Sequence, residues 1–139
     1  MIIRKAKKED IESVLKLTKI PEFDNPNSSN NMESREYFKE YIKNGIFLVA
    51  KKDKETIGFV TGEFMLGGYV YIDALSVNSS LRGKGIGKKL IDSFEKIAKA
   101  KGVKYIHLTA PKSNKKTIKF YEKNKYDKGK EFIQFYKKL

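Results

Sequence analysis

The stretch from Tyr69 to Ala98 constrains the fold more than any other part of the chain. Tyr69 to Val77 is rich in Val, Ile and Tyr and reads as a strand. It runs through Asn78-Ser79-Ser80 into Leu81-Arg82-Gly83-Lys84-Gly85-Ile86-Gly87. Ile86, Leu90, Ile91, Phe94, Ile97 and Ala98 then recur at helical spacing and stop at Lys101-Gly102. Glycines let a backbone reach positive φ and approach a ligand closely. The first amides of a helix lack internal partners, and the helix dipole favours negative charge there. A strand that opens a helix through such a loop therefore predicts an anion site. Arg82, Lys84, Lys88 and Lys89 add positive charge around it.

The remaining pattern supplies a sheet for that unit. Met1 to Ala6 reads as a short opening strand. Ile11, Val14, Leu15 and Thr18 follow helical spacing, with Glu9, Asp10 and Glu12 at the end the dipole favours. Pro21 to Asn31 is rich in Pro, Asn, Ser and Asp and reads as an exposed loop. A second helix carries Tyr37, Phe38, Tyr41 and Ile42 as its apolar stripe and ends at Asn44-Gly45. Ile46 to Lys52, Thr56 to Leu66 and Tyr69 to Val77 form an antiparallel meander, with turns at Asp53-Lys54-Glu55 and Gly67-Gly68. Val103 to Ala110 is strand-like, Asn114 to Asn124 helical, Asp127 to Lys130 a turn, and Phe132 to Lys137 a closing strand. The expected order is β-α-α-β-β-β-α-β-α-β. That is an α/β or α+β chain with a mixed, mostly antiparallel central sheet flanked by helices.

Composition narrows the chemistry. At 139 residues, 40% of them hydrophobic, the chain suits one domain spanning residues 1–139. It has no Cys and a single His, His107, which excludes disulfides, thiol nucleophiles and Cys- or His-rich metal sites. No metal is expected. No apolar run approaches the roughly 20 residues of a membrane span, and the N-terminus does not read as a signal peptide. A cytoplasmic protein without a membrane partner is the expectation. The net charge of +13 is uneven: residues 1–78 hold 12 basic and 12 acidic side chains, residues 79–139 hold 18 and 5. Such a field attracts polyanions or a phosphorylated cofactor. Only three of the 30 basic residues are Arg, and bidentate base readout favours Arg. Nucleic acid is therefore not the expected partner.

Two phosphate motifs fail on particular residues. A P-loop needs Ser or Thr after Gly-Lys, and Gly87-Lys88 is followed by Lys89. A dinucleotide fingerprint needs a third glycine, but Leu90 and Lys88 stand at the two possible positions. Arg-x-x-Gly-x-Gly is matched by Arg82, Gly85 and Gly87. With Leu75-Ser76-Val77 before it, this segment resembles the acyl-CoA motif of the GCN5-related N-acetyltransferase family. Asn114 and, seven residues on, Tyr121 within Phe120-Tyr121-Glu122-Lys123-Asn124-Lys125-Tyr126 resemble the same family's downstream segment. The chain departs at Lys125, where the family usually has Gly.

The resemblance implies the acyl-CoA N-acyltransferase fold and acetyl-CoA as co-substrate. It implies that the diphosphate rests on the amides of Gly83, Lys84, Gly85, Ile86, Gly87 and Lys88, with Arg82 beside them. It implies that the pantetheine lies along Leu75, Ser76 and Val77 as an added strand would. The chemistry is then direct attack of a primary amine on a thioester. The ammonium, of ordinary pKa about 10.4, must first lose a proton, and the leaving thiolate needs a donor. Tyr121, on the same helix face as Asn114 at a spacing of seven, suits the donor's role, although Asn114 also suits a helix N-cap and Tyr121 a core position. For the base, Glu63 and Asp73 are carboxylates inside strand-like runs, where a charge needs a reason. An acid five residues before the motif Asn, known in some branches, is absent: that position is Thr109. His107 reads as a strand residue. Glu22, Asp24, Glu33 and Glu36 could attract a cationic amine, and Phe23, Tyr37, Phe64 and Tyr69 could line the cleft. Two other readings stay open, a basic nucleic-acid-binding module and a non-catalytic acyl-CoA-binding domain. The acceptor amine is not named by these residues, and exposed strand edges suggest a homodimer.

Overall fold

A computed structural model describes residues 1–19 and 35–139. The loop expected over residues 21–31, with Glu22, Phe23 and Asp24, and Glu33 beyond it, lies outside the described residues. The described chain separates into two compact units, Met1–Leu108 and Thr109–Leu139.

The first unit is built on a five-stranded sheet in the order β1 (Ile2–Lys5), β2 (Ile46–Lys52), β3 (Glu55–Phe64), β4 (Val70–Val77) and β5 (Ile106–His107). The first three pairings are antiparallel and β4 pairs β5 in parallel, so the sheet is mixed and mostly antiparallel as expected. Ile46 to Ala50 of β2 are all buried, because helices cover both faces, and the strand reads as a continuous apolar run rather than an alternation. On one face, α1 (Ile11–Leu17) and α2 (Arg35–Asn44) bring Ile11, Val14, Phe38 and Tyr41 against Phe47, Val49, Phe59 and Ala74. Phe38 meets Phe59 edge-on, with ring centres 5.9 Å apart, and full burial of such a ring contributes about 1.5–3 kcal/mol. On the other face lies α3 (Ile86–Ala100). Its Phe94 packs so closely that a Cβ on Gly62 would come within 2.4 Å of the ring, and Leu90 lies against Gly58.

The opening of the unit is held by charge. Arg4 on β1 grips both oxygens of Asp10, at 2.7 and 3.0 Å, and the Lys7 amide donates to Asp10 at 2.8 Å. Burial opposes ionisation of Asp10, but these donors and Lys51 together hold its carboxyl below the usual range.

The second unit holds α4 (Lys115–Lys123), capped by Asn114, whose side-chain oxygen accepts from the Thr117 amide at 3.3 Å. Lys125, the residue that replaces a glycine of the resembled motif, follows the helix at φ +71°. An L side chain in the left-handed region costs about 1–2 kcal/mol, partly offset in glycine by its larger entropy loss. Lys125→Gly is therefore expected to stabilise the protein by about 0.5–1 kcal/mol, read as a higher denaturant midpoint at unchanged slope.

Two sequence expectations are corrected. The strand expected over 103–110 shrinks to Ile106–His107, because only these residues stand in register with Val70 and Tyr71 of β4. Phe132 to Lys137 forms no strand: no ladder partner reaches it among the described residues, and Phe132, Ile133 and Phe135 remain 82%, 81% and 90% exposed. Residue type suits these segments to a sheet, but a strand exists only where a neighbour offers matching donors and acceptors. None of the described helices is long and apolar enough to cross a membrane.

Candidate active site

β4 carries both parts of the site in the first unit. At its C-terminal end Asn78 caps a single 3-10 turn, Ser79–Leu81, accepting from the Ser80 amide at 3.1 Å. The chain then passes Gly83 at φ +79° and Gly85 at φ +83°. These are the left-handed conformations that sequence reasoning assigned to glycine. A Cβ at either position would meet no atom within 4 Å, so open space lies in front of both. The first intrahelical bond of α3 runs from the Lys89 amide to the Gly85 carbonyl, at 3.1 Å. The amides of Ile86, Gly87 and Lys88 precede it and are the donors a helix mouth leaves over. Open space before the glycines, positive backbone dipoles and Lys84 fit a diphosphate.

Two of the cations expected there are directed elsewhere. Lys88 pairs with Asp92 one turn down the helix, at 2.7 Å. Arg82 donates its Nε to the Val77 carbonyl at 3.2 Å, which ties the loop back to the strand. The cradle is thus mainly backbone.

Upstream, β4 is half open. Its outer edge meets β5 only at Val70 and Tyr71, so among the described residues Ile72 to Val77 pair with β3 alone. Leu75 and Val77 are half-buried, and Ser76 is buried with its hydroxyl donating to the Leu17 carbonyl at 3.3 Å. The register of β4 on β3 steps from Thr61↔Ala74 to Gly62↔Ile72, which leaves Asp73 as the extra residue of a bulge. The bulge lets Asp73 reach the α2 side together with its neighbour Ala74, which strict alternation would forbid.

There Asp73 meets Glu63 of β3, whose carboxyl is near enough to disfavour the charged form of Asp73. Tyr41 of α2 donates to Asp73 Oδ2. Burial, then the nearby Glu63 carboxyl, push the Asp73 carboxyl up to about 7, against the opposing pull of Tyr41. Glu63 and Asp73, two separate candidates in the sequence, are brought together as one acid pair. Tyr41 is the partner of Asp73 that sequence reasoning missed, read there only as part of an apolar stripe. The available signal was a second phenol four residues from Tyr37 on one helix face. His107 sits in β5 with its ring 4.4 Å from that of Tyr69, as befits a strand residue.

In the second unit, Tyr121 and Asn114 lie on and at the start of α4. The Tyr121 ring packs edge-on against Phe120 and Tyr126, at 5.1 and 5.3 Å. Burial raises its pKa, so the phenol stays protonated at neutral pH.

The model of the acetyltransferase (GNAT) family matches residues 9–126. Among solved structures, the chain is similar to the PaiA N-acetyltransferase of Thermoplasma acidophilum in complex with coenzyme A. That match has 25% identity and a TM-score of 0.74, covering 88% of this chain and 87% of that one. It is also similar to an aminoglycoside acetyltransferase from an uncultured soil metagenomic sample, at 23% identity and TM-score 0.78, covering 99% and 95%. A transcriptional regulator from Bacillus halodurans C-125 matches at 24% and 0.78, covering 97% and 98%. The chain belongs to the acetyltransferase (GNAT) family. It is an acetyl-CoA-dependent N-acetyltransferase, and its described residues offer no group of three or more side chains able to hold a metal.

Proposed function

We propose that this protein moves an acetyl group from acetyl-CoA to a primary amine by direct attack within a ternary complex. Residues 1–139 act together as one acetyltransferase domain. The observation that carries this reading is the open cradle at Gly83 and Gly85, continuous with the edge of Leu75–Val77, which among the described residues no strand beyond β3 pairs. The diphosphate sits on the amides of Gly83 to Lys88, and the pantetheine follows the edge as an added strand does. From Val77 back to Asp73 is four residues, or ~13 Å of extended strand. The thioester is thereby delivered towards the acid pair.

The acceptor arrives as an ammonium. Ionised Asp73, beside Glu63, takes a proton from it and leaves a neutral amine. The amine nitrogen bonds to the thioester carbonyl carbon, and the carbon–sulfur bond breaks as the intermediate collapses. Tyr121 gives its proton to the departing sulfur and recovers one from the nitrogen that has become an amide. The sum is acetylamide, free thiol and one released proton. Asn114 caps α4 and so holds Tyr121 in place.

The test is release of free thiol from acetyl-CoA against a panel of acceptors: a polyamine, an aminoglycoside, a free amino acid, and peptides with a lysine or a free N-terminus. At least one amine is expected to turn over. Tyr121→Phe is expected to lower kcat about 100-fold, within the range of a general acid, while acetyl-CoA binding by calorimetry stays near wild type. Unchanged kcat would remove Tyr121 from the reaction. Thiol release from no amine, with tight nucleic-acid binding that collapses with salt, would favour the nucleic-acid module instead.

A further inference from the structure

Two tyrosines on α2 form an ordered chain into the acid pair. The Tyr37 and Tyr41 hydroxyls lie 2.8 Å apart, and Tyr41 also bonds Asp73 Oδ2. A phenol has one proton. With the Tyr41 proton on the carboxylate, the proton between the two phenols comes from Tyr37. While Asp73 is ionised, donation therefore runs from Tyr37 to Tyr41 to Asp73. Tyr41 is held rigidly: its ring is buried and packs against Tyr37, Phe38 and Phe47 with centres 5.1, 6.4 and 6.4 Å away. It is a fixed donor on a core helix, aimed at a residue that a bulge has turned towards it.

We infer that Tyr41, backed by Tyr37, is a positioning residue that claims one oxygen of Asp73 and so leaves the other for the proton exchanged with the acceptor. The inference rests on the reading above that the pair serves as base. The groups acting on Asp73 are Glu63 from β3 and Tyr41 from α2, with Tyr37 behind it. From the other face α3 packs its Phe94 ring against Gly62, and the His107 ring of β5 is stacked on Tyr69. Burial and the neighbouring carboxylate raise the Tyr41 pKa, so its proton stays put at working pH. Tyr41 orients and tunes the pair without carrying the transferred proton. A hydrogen bond to the ionised form favours that form, so its removal makes the pair hold its proton more tightly.

Tyr41→Phe keeps the buried ring and removes only the hydroxyl. In the full-length variant, carboxyl-carbon NMR should show the Asp73 titration midpoint about one pH unit higher than in wild type, as expected for loss of one hydrogen bond to a charged group. The acidic limb of kcat/KM, measured with the panel amine that turns over fastest, should move by the same amount. The KM for acetyl-CoA should not move, which separates tuning from general damage. Tyr37→Phe leaves Tyr41 in place and should shift the midpoint in the same direction by less. Should Tyr41→Phe merely unfold, a Tyr37→Phe midpoint equal to wild type would overturn the inference. A Tyr41→Phe midpoint within 0.3 unit of wild type, roughly a tenth of the range burial can produce, would overturn it as well. If instead Asp73→Asn keeps the wild-type acidic limb, the base reading falls, and the catalytic meaning of Tyr41 falls with it.

Discussion

Gly85→Glu is expected to abolish acetyl-CoA binding, with affinity at least 100-fold weaker by calorimetric titration. Gly85 stands at φ +83° with nothing within 4 Å of where a Cβ would project. The new Cβ meets no protein atom, so the damage falls on whatever occupies that space. A carboxylate there repels a diphosphate and fills the room in front of the Ile86, Gly87 and Lys88 amides. The left-handed backbone adds about 1–2 kcal/mol of strain, which lowers the melting temperature without preventing folding. Gly85→Ala carries the strain and little of the bulk, and should lose about tenfold. Affinity retained in Gly85→Glu would remove the diphosphate from this cradle.

The second large effect runs in opposite directions for activity and stability. Asp73→Asn removes one of the two ionisable groups of the acid pair and keeps an oxygen for Tyr41. Turnover should fall about 100- to 1,000-fold, within the range of general-base catalysis. In wild type, kcat/KM should fall as pH drops through about 7, where Asp73 takes up its proton. Folding stability responds in the contrary sense. The folded carboxyl titrates at about 7 and the unfolded one at about 3.9. Folding therefore binds protons, and the favourable contribution is complete below about 4 and lost as pH rises through 7. At pH 8 wild type holds an ionised carboxylate beside Glu63 in a half-buried site. Asp73→Asn relieves this and should be the more stable protein at pH 8, by on the order of 1 kcal/mol after allowance for solvent screening. The advantage should vanish at pH 4, where both side chains are neutral. Equal denaturation midpoints at pH 8 would mean that Asp73 is not held against a like charge. Asp73 thus trades stability for reactivity, as functional sites commonly do.

The expectations that succeeded are those a local stretch of chain can dictate. Three glycines at the mouth of an amphipathic helix imply positive φ at some of them, and Gly83 and Gly85 adopt it. Asn114 caps the helix it precedes, because an Asn side chain satisfies the amide three residues on wherever a helix begins. Lys125 shows the limit of such reasoning. Its departure from glycine was legible, yet the backbone keeps the left-handed turn and lets the side chain bear the strain. Phe132 to Lys137 was misread because apolar β-forming residues were taken for a strand without a partner in view.

What the sequence by itself determined, then, is the run of elements through α4, the cradle and the family, since each depends on residues within a few turns of one another. Only the tertiary structure decided which carboxylates meet. Glu63 and Asp73 stand ten residues apart on neighbouring strands, and a one-residue bulge sets whether Asp73 faces Tyr41 on α2. Register across a sheet arises from packing on both of its faces, and here Phe94 against Gly62 on one face and Phe38 against Phe59 on the other supply that packing. No local pattern carries that information, because side chains that meet across strands are chosen by the whole core at once.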